Sequence, residues 1–471
     1  MRHLQGESRH QASLLPELLD DFVTADHPIR VIDAYVDSLD ISALGFDKAL
    51  TKDTGRKPYH PGDLLKLYVY GYLNQVRTSR RLESECQRNV EVMWLMKRLR
   101  PDFKTIADFR KDNRSALGAA CRSFIEFCRQ AKLLTGTLVA IDGSKFKAAA
   151  SIDQALTRKQ LERDRVNLEH QVQRYLARLD EADVEERCVG LERVRVEATL
   201  DRLKEKTQCL ERREQAMDAG GRNEDCATES QARLMRSGRE GMVLGYNVQS
   251  AVDADSGLIV HHQVTDEPGD TRLLQPMAEQ TKAKLGVDTL EVLADKGYSN
   301  GEQLAACEQQ GITATVPRRI IPNSNMQCYQ KSDFNYDASE DCYRCPAGQI
   351  LSYSGDDKRR KLHLYKRTGC SQCPLQPKCT LANTRMVTRH FHEASFARSQ
   401  ARLHRDPSLM KRRMGIVERP FAILKQAMGL RRFVCRGLEG ASSEMAIGVL
   451  GYNLKQMIRR HSVAGMMALL S

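Results

Sequence analysis

Leu138-Val-Ala-Ile141 is a short apolar run that ends at Asp142, and a comparable run, Thr289 to Ala294, ends at Asp295. Short apolar, β-branched runs bounded by turn residues read as buried strands. If both lie in one sheet, the fold must pair segments far apart in sequence and loop out what lies between them. Much of that intervening chain is charged. Leu161, Leu168, Val172, Tyr175 and Leu179 recur at sevens, fours and threes, and Val196, Leu200, Leu203 and Leu210 do so again, with Glu, Arg and Lys filling the other positions. This spacing predicts an antiparallel helical hairpin or coiled coil over roughly 153–218, ended by Gly220-Gly221.

After the hairpin, Tyr246 to Val252 and Leu258 to Val264 alternate around a turn at Asp253–Gly257, the pattern of a β-hairpin. Thr271 to Leu285 and Glu302 to Gln310 have helical patterns, and Ile312 to Val316 is a last short strand. The order is strand, two hairpin strands, helix, strand, helix, strand. It predicts an α/β ribonuclease-H-like core, a mixed sheet flanked by helices with the coiled coil inserted after the first strand. In such a sheet the first and fourth strands end side by side, so Asp142 and Asp295 are expected to meet. A helix near Met410 to Met428 would lay Glu418 across the same edge.

The remaining chain divides by composition. Residues 1–135 read as an all-α N-terminal domain, with helices over Pro28–Leu39, Pro61–Val76, Arg80–Arg98, Thr105–Asn113 and Ser115–Ala131, two of them opened by Pro. Short helices with basic ends suit a DNA-binding bundle, and equally a plain helical packing domain. Trp94, the only Trp, has apolar neighbours and reads as core. The predicted divisions are 136–152 and 241–320 for two parts of the catalytic core, 153–240 for the inserted hairpin and linker, 321–385 for a Cys-rich insert, and 386–471 for a C-terminal helical part carrying Glu418.

An acid after a strand is most often a cap or a turn residue, and Glu418 in a basic helix is most simply a salt-bridge partner. Jointly the three acids read differently. Three carboxylates from distant segments can hold two Mg²⁺ ions about 3.5–4 Å apart, an arrangement suited to phosphoryl transfer. The chain carries a formal net charge of +12 over 471 residues. Arg398 to Arg436 alone holds eleven Lys and Arg against Asp406 and Glu418. That surplus suits a polyanion such as nucleic acid, bound with steep salt dependence. Arg412, Arg413, Arg419 and Lys425 surround Glu418 and could meet phosphate, while Ser144 and Lys145 follow Asp142.

Cys342-x-x-Cys345 is followed by Cys370-x-x-Cys373 and then Cys379, in a chain with 14 Cys. Two CxxC pairs predict a tetrahedral Cys₄ Zn²⁺ site, with an iron–sulfur cluster or free thiols as the alternatives. Cys379 is either spare or replaces one of the four. Cys121 and Cys128 share one helix face and read as core. The Met1–Glu7 segment has no apolar signal core, and Met445–Leu454 is too short to span a bilayer. Both point to a cytoplasmic protein with no membrane partner.

The phrases Ala-Ile-Asp-Gly-Ser-Lys, Gly-Tyr-Asn-Val-Gln-Ser-Ala-Val-Asp, Leu-Ala-Asp-Lys-Gly-Tyr and Ile-Val-Glu-Arg-Pro-Phe-Ala-Ile-Leu-Lys together resemble bacterial insertion-sequence transposases of the DDE type, in particular the family numbered eleven eighty-two. The N-terminal Tyr59-His-Pro-Gly-Asp-Leu-Leu-Lys, the Cys-rich insert and the ending from Arg436 to Lys455 extend the likeness over nearly the whole chain. The resemblance implies a transposase that binds terminal inverted repeats, cuts DNA strands at the element's ends and joins the freed 3′-OH to target DNA. It implies Asp142, Asp295 and Glu418 as ligands of two Mg²⁺ or Mn²⁺ ions, with Tyr298 and Lys425 near the DNA; Lys145, beside Ser144, is read as a further DNA-phosphate contact, and joining two ends calls for at least a dimer on DNA. One departure stands out. The related Tyr-Arg-Glu-Lys signature has Arg four positions before the Glu, where this chain has Met414. Arg413 is one place off, about 100° around a helix. A metal-dependent endonuclease without strand transfer, a non-catalytic DNA-binding regulator and a coiled-coil scaffold are the rival readings.

Overall fold

The computed structural model describes residues 18–50, 57–134, 136–184, 190–238, 240–319, 328–380 and 382–471. The N-terminal segment Met1–Glu7 and the side chains of Leu179 and Val196 lie outside the described residues.

Six helices open the described chain: α1 (Ile29–Asp37), α2 (Pro61–Leu73), α3 (Ser79–Arg88), α4 (Val90–Leu95), α5 (Phe103–Asp112) and α6 (Arg114–Gln130). Their starts follow capping chemistry. The His60 ring accepts from Gly62 N ahead of a first-position Pro61, and Asp102 Oδ1 accepts from Lys104 N and Thr105 N. The single helix expected over Arg80–Arg98 is two, because Asn89 leaves the helical region and its side chain caps α4 through Glu91 N and Val92 N. Trp94 packs partly buried against the core, with its indole N–H donated to Asp20 Oδ1.

The central sheet is built from β1 (Leu138–Lys147), β4 (Arg233–Ser237), β5 (Gly241–Asp253), β6 (Ile259–Thr265), β7 (Leu290–Leu293) and β8 (Ile312–Thr315). β5 runs antiparallel to β1, while β7 and then β8 run parallel to β1. β4 and β6 share the outer edge of β5, pairing with Gly241–Gly245 and Asn247–Val252 respectively. Between β1 and β4, a small ladder of β2 (Ala155–Thr157) and β3 (Glu224–Cys226) closes the base of a helical hairpin, α7 (Arg158–Val184) and α8 (Gly190–Ala219). Leu161, Leu168, Leu200 and Leu203 are buried, as the heptad-like spacing requires. Two expectations are corrected here. β1 continues beyond its apolar run to Lys147, and the stretch assigned to the hairpin's linker contains β4, an edge strand of the central sheet.

The helices α9 (Leu274–Leu285) and α10 (Gly301–Gln309) cover one face of this sheet, where Val139 and Ile141 pack with Met277, Leu304 and Phe396. On the other face Leu138, Ala140 and Phe146 join a larger core that includes Val417, Phe421 and residues of α13. The Cys-rich segment forms its own antiparallel sheet: β9 (Asn335–Asp337), β10 (Cys342–Arg344), β11 (Ile350–Asp357), β12 (Leu362–Thr368) and β13 (Thr384–His390). Tyr343, Leu351, Tyr365 and Val387 fill its small core. The chain ends in α11 (Glu393–Arg405), α12 (Leu409–Ala422) and α13 (Leu438–Leu470), the last broken at Ser462, where φ is +61°. The predicted helix over Met410–Met428 is α12 followed by a π-helical turn at Ile423–Ala427. Among the described residues, no helix is long and apolar enough to cross a membrane.

The N-terminal helices are not a separate body, since their buried residues belong to the same core as those of α13 and one face of β1. A buried ion pair crosses that junction. Glu444 is fully buried, 3.1 Å from Arg77 Nη1, and its Oε2 accepts from Val434 N and Cys435 N. Arg77 also donates to Gly429 O and Arg432 O. Removing one partner of such a pair strands the other charge. Arg77→Met is expected to destabilise the protein by about 3 kcal/mol or more, measured as a fall in the denaturant midpoint. Glu444 replaced together with Arg77 by apolar residues should recover part of that loss.

Candidate active site

The parallel register of β1 and β7 aligns Val139 with Val292 and Ala140 with Leu293. Continued by two residues, it sets Asp142 level with Asp295 just beyond β7. Asp142 lies within β1, opposite Ser250 of β5. Its Oδ1 accepts from Gly143 N at 2.9 Å and lies 2.6 Å from Arg413 Nη2. Burial pushes the Asp142 carboxyl up to about 6; Arg413 opposes the rise, and the nearby Asp295 and Asp270 add to it. Asp295 Oδ1 accepts from Gly297 N at 2.7 Å.

The sequence pattern gives no sign of Asp270. It sits in the Pro-Gly-Asp loop between β6 and α9, which resembles an ordinary turn. Its Oδ1 accepts from Asn247 Nδ2 at 2.7 Å and from Gln249 Nε2 at 2.8 Å, and Lys145 Nζ stands 3.6 Å away. Two glycines make room for it. A β-carbon on Gly143 would run into Gln249 Nε2 and lie 2.8 Å from Asp270 Oδ1. A β-carbon on Gly297 would lie 2.8 Å from Asp295 Oδ1 and 3.5 Å from Asp270 Oδ2. The glycines after Asp142 and Asp295, which resemble simple turn residues, therefore border the same carboxylate.

Basic groups close on this edge. Arg413 is nine-tenths buried and faces Asp142, although its position is one off the related signature. The Lys145 side chain is largely buried beside Asp270. Lys425 Nζ donates to Ser144 Oγ and Lys145 O, both at 2.7 Å, and burial brings its ammonium down to about 8. Arg412 and Arg419 are exposed on α12. Tyr298, expected near DNA, is fully buried, and its hydroxyl donates to Gln249 Oε1; its placement makes it part of the protein's interior. Glu418 is exposed on α12, next to fully buried Val417. Five residues after Arg413, it points about 140° around the helix from it.

Three carboxylates on one edge are a donor set suited to a hard divalent cation. Among the described residues, though, no group of three His, Cys, Asp or Glu stands at the distances of a formed metal site. Arg413 instead provides a counter-charge to Asp142. In the Cys-rich sheet, Cys379 has Cys370, Cys345 and Cys373 as neighbours. Burial raises its thiol above the ordinary range, Arg385 opposes the rise and these three cysteines add to it. Cys345 Sγ accepts from Gln349 N at 3.3 Å. Cys342 is buried in β10 and, by strand alternation, faces away from Tyr343. Cys121 and Cys128 are buried core residues.

Residues 17–112 match the family model described as Transposase domain (DUF772), and residues 344–458 match the Transposase DDE domain. The second match includes Glu418, Arg413, Lys425 and four of the clustered cysteines. These matches support an insertion-sequence DDE transposase. No curated protein matches it. Among solved structures, it is similar to the piggyBac transposase synaptic complex with hairpin DNA, at 10% identity, with 95% of this chain and 80% of that chain covered and a TM-score of 0.37.

The crowding at Gly143 gives a direct test. Gly143→Ala is expected to destabilise by about 1–3 kcal/mol, because Gln249 and Asp270 would have to shift. Gly415, inside α12 with nothing within 4 Å of a β-carbon, is the contrast. Gly415→Ala should stabilise by about 0.5–1 kcal/mol. Denaturant midpoints of the two variants would separate these effects.

Proposed function

We propose that the chain cuts DNA at the ends of its own element and joins the freed 3′ ends to target DNA. In this reading Asp142, Asp295 and Glu418 are the metal-binding acids of a ribonuclease-H-like core. The observation that carries the proposal is the register of parallel β1 and β7, which continued by two residues sets Asp142 level with Asp295, on an edge lined by buried cations. The strand order, with β5 antiparallel and β7 and β8 parallel to β1, supports the same assignment.

Divalent Mg²⁺ or Mn²⁺ held by these acids would supply Lewis-acid stabilisation and activation of the attacking oxygen. The protein's residues then have three tasks. Asp142 in β1 and Asp295 just beyond β7 provide oxygen donors, and Glu418, exposed on α12 in this arrangement, would have to turn toward the same edge to join them. Arg413, Lys145 and Lys425 offer positive charge to a phosphate, and Arg412 and Arg419 extend that charge along α12. Ser144, engaged by Lys425, orients rather than attacks. In the first step the oxygen of water forms a P–O bond as the bond to the 3′ oxygen breaks, leaving a 3′-OH and a 5′-phosphate. In the second, that 3′-OH bonds to phosphorus of a target strand and a target 3′ oxygen leaves. In each step the nucleophile's proton passes to solvent and the leaving oxygen gains one. No side chain forms a covalent intermediate.

The N-terminal helices are assigned to terminal inverted repeats. Bringing two ends together calls for at least two copies. The hairpin is a candidate contact between them, since Val166 and Leu176 are exposed on α7. The cysteine insert is assigned one Zn²⁺, held by Cys345, Cys370, Cys373 and Cys379, with Cys342 outside the set.

Two experiments test these assignments. A labelled DNA bearing the element's end, incubated with protein and Mg²⁺, should be cleaved and joined to a second duplex. Asp142→Asn, Asp295→Asn and Glu418→Gln should each lower both steps by at least about 10³-fold, the scale of losing an essential catalytic contribution, while DNA binding persists. Binding with no cleavage by the wild-type protein would favour a regulator, and cleavage without joining an endonuclease. For the insert, metal analysis should find one zinc per chain. Cys379→Ser should lose it and Cys342→Ser should keep it; the reverse pattern would overturn the ligand assignment.

A further inference from the structure

We propose that Asp270 is a fourth carboxylate of the catalytic edge, binding a divalent cation through Oδ2 alongside Asp295. The inference rests on the active-site reading above and adds a residue to it. The two oxygens of Asp270 are in different circumstances. Oδ1 is taken up by Asn247 Nδ2 and Gln249 Nε2, with Lys145 nearby. Oδ2 accepts no hydrogen bond among the described residues and lies toward Gly297, the residue that also donates its N–H to Asp295.

The scaffold fixes this carboxylate from both sides. Asn247 and Gln249 project from β5 opposite Lys145 and Gly143 of β1. Gln249 also bridges to Asn247 Oδ1 and accepts from buried Tyr298. Arg413 is a second, independent sign of a ligand at this edge. It is nine-tenths buried, is directed at Asp142, and its Nε has no hydrogen-bond partner among the described residues. A buried guanidinium with an unused donor is suited to a phosphate oxygen, so metal-binding acids and a phosphate-binding group converge. Asn247, Gln249 and Tyr298 are positioning residues, because they act through Asp270.

The test uses the full chain and Mn²⁺ as the probe, followed by its paramagnetic signal. Asp270→Asn should weaken Mn²⁺ binding at least tenfold while leaving terminal-DNA binding intact. Asp266→Asn, at an acid paired with Arg233 outside the edge, should leave Mn²⁺ affinity unchanged. Wild-type affinity in Asp270→Asn would overturn the proposal and spare the active-site reading. Mn²⁺ binding that is indifferent to Asp142→Asn and Asp295→Asn would overturn both. If Asp270→Asn does not fold, wild-type protein decides the matter. Bound Fe²⁺ with peroxide should cut the backbone near residues 142, 295 and 270, and the absence of a cut near 270 would overturn the assignment.

Discussion

The candidate site depends first on the pairing of β1. Its antiparallel ladder with β5 sets Gly143 against Gln249 and Lys145 against Asn247. Its parallel pairing with β7 sets Asp142 level with Asp295. A slip of one residue in either ladder would turn these side chains to the opposite face. The apolar half of β1, from Leu138 to Ile141, is buried on both faces and sets the register. The polar half then inherits that register. The strand's core therefore orients its chemistry, and Phe146, packed near Phe421 and Phe433, anchors the far end.

Beyond Ile141 the sheet carries a polar layer that a structure built for stability alone would avoid. Asn247 and Gln249 are fully buried, with Asp270, Lys145 and Arg413 packed beside them. Burying such groups costs free energy unless they find partners. Most do: Gln249 links Tyr298, Asn247 and Asp270. The atoms left over are the informative ones. Among the described residues, Lys145 Nζ and Arg413 Nε are buried without hydrogen-bond partners, and both lie where acids are concentrated. This edge tolerates unspent hydrogen-bonding capacity, as expected where the partner is an exogenous anion or cation.

Much of this was legible in sequence because it rested on periodicity. Apolar alternation marked β5 and β6, and heptad-like spacing marked α7 and α8. Two apolar runs ending in Asp pointed to neighbouring strands. What was hidden had no such signal. β4 is short and contains Arg233 and Arg236. The second half of β1 reads as polar turn because its cross-strand partners are polar as well. Asp270 follows Pro-Gly, so its local context reads as a loop, and only the tertiary approach to Gly143 and Gly297 reveals what it borders. Arg413 was obscured by signature spacing, because its alignment with Asp142 depends on the rotation of α12 against β1. Tyr298 stands near the Asp295 phrase but turns inward, a direction that residue order does not specify.

The cations around Asp142 also explain how a concentration of acids can persist in the folded chain. Asp142, Asp270 and Asp295 repel one another, and Asp142 is additionally desolvated. Arg413 at 2.6 Å from Asp142 and Lys145 at 3.6 Å from Asp270 offset that repulsion. Both cations come from elements that also contribute acids, Lys145 from β1 with Asp142 and Arg413 from α12 with Glu418. The charge balance is thus carried by the same two elements whose packing forms the edge. A divalent cation would compete with Arg413 for Asp142 and release the guanidinium toward phosphate. The exposed Glu418 then belongs to the same problem: α12 presents Arg413 inward in this arrangement, with the acid on another side of the helix. On the proposed reading, a cation held at Asp142 would leave Arg413 free for a phosphate, so α12 would couple the two.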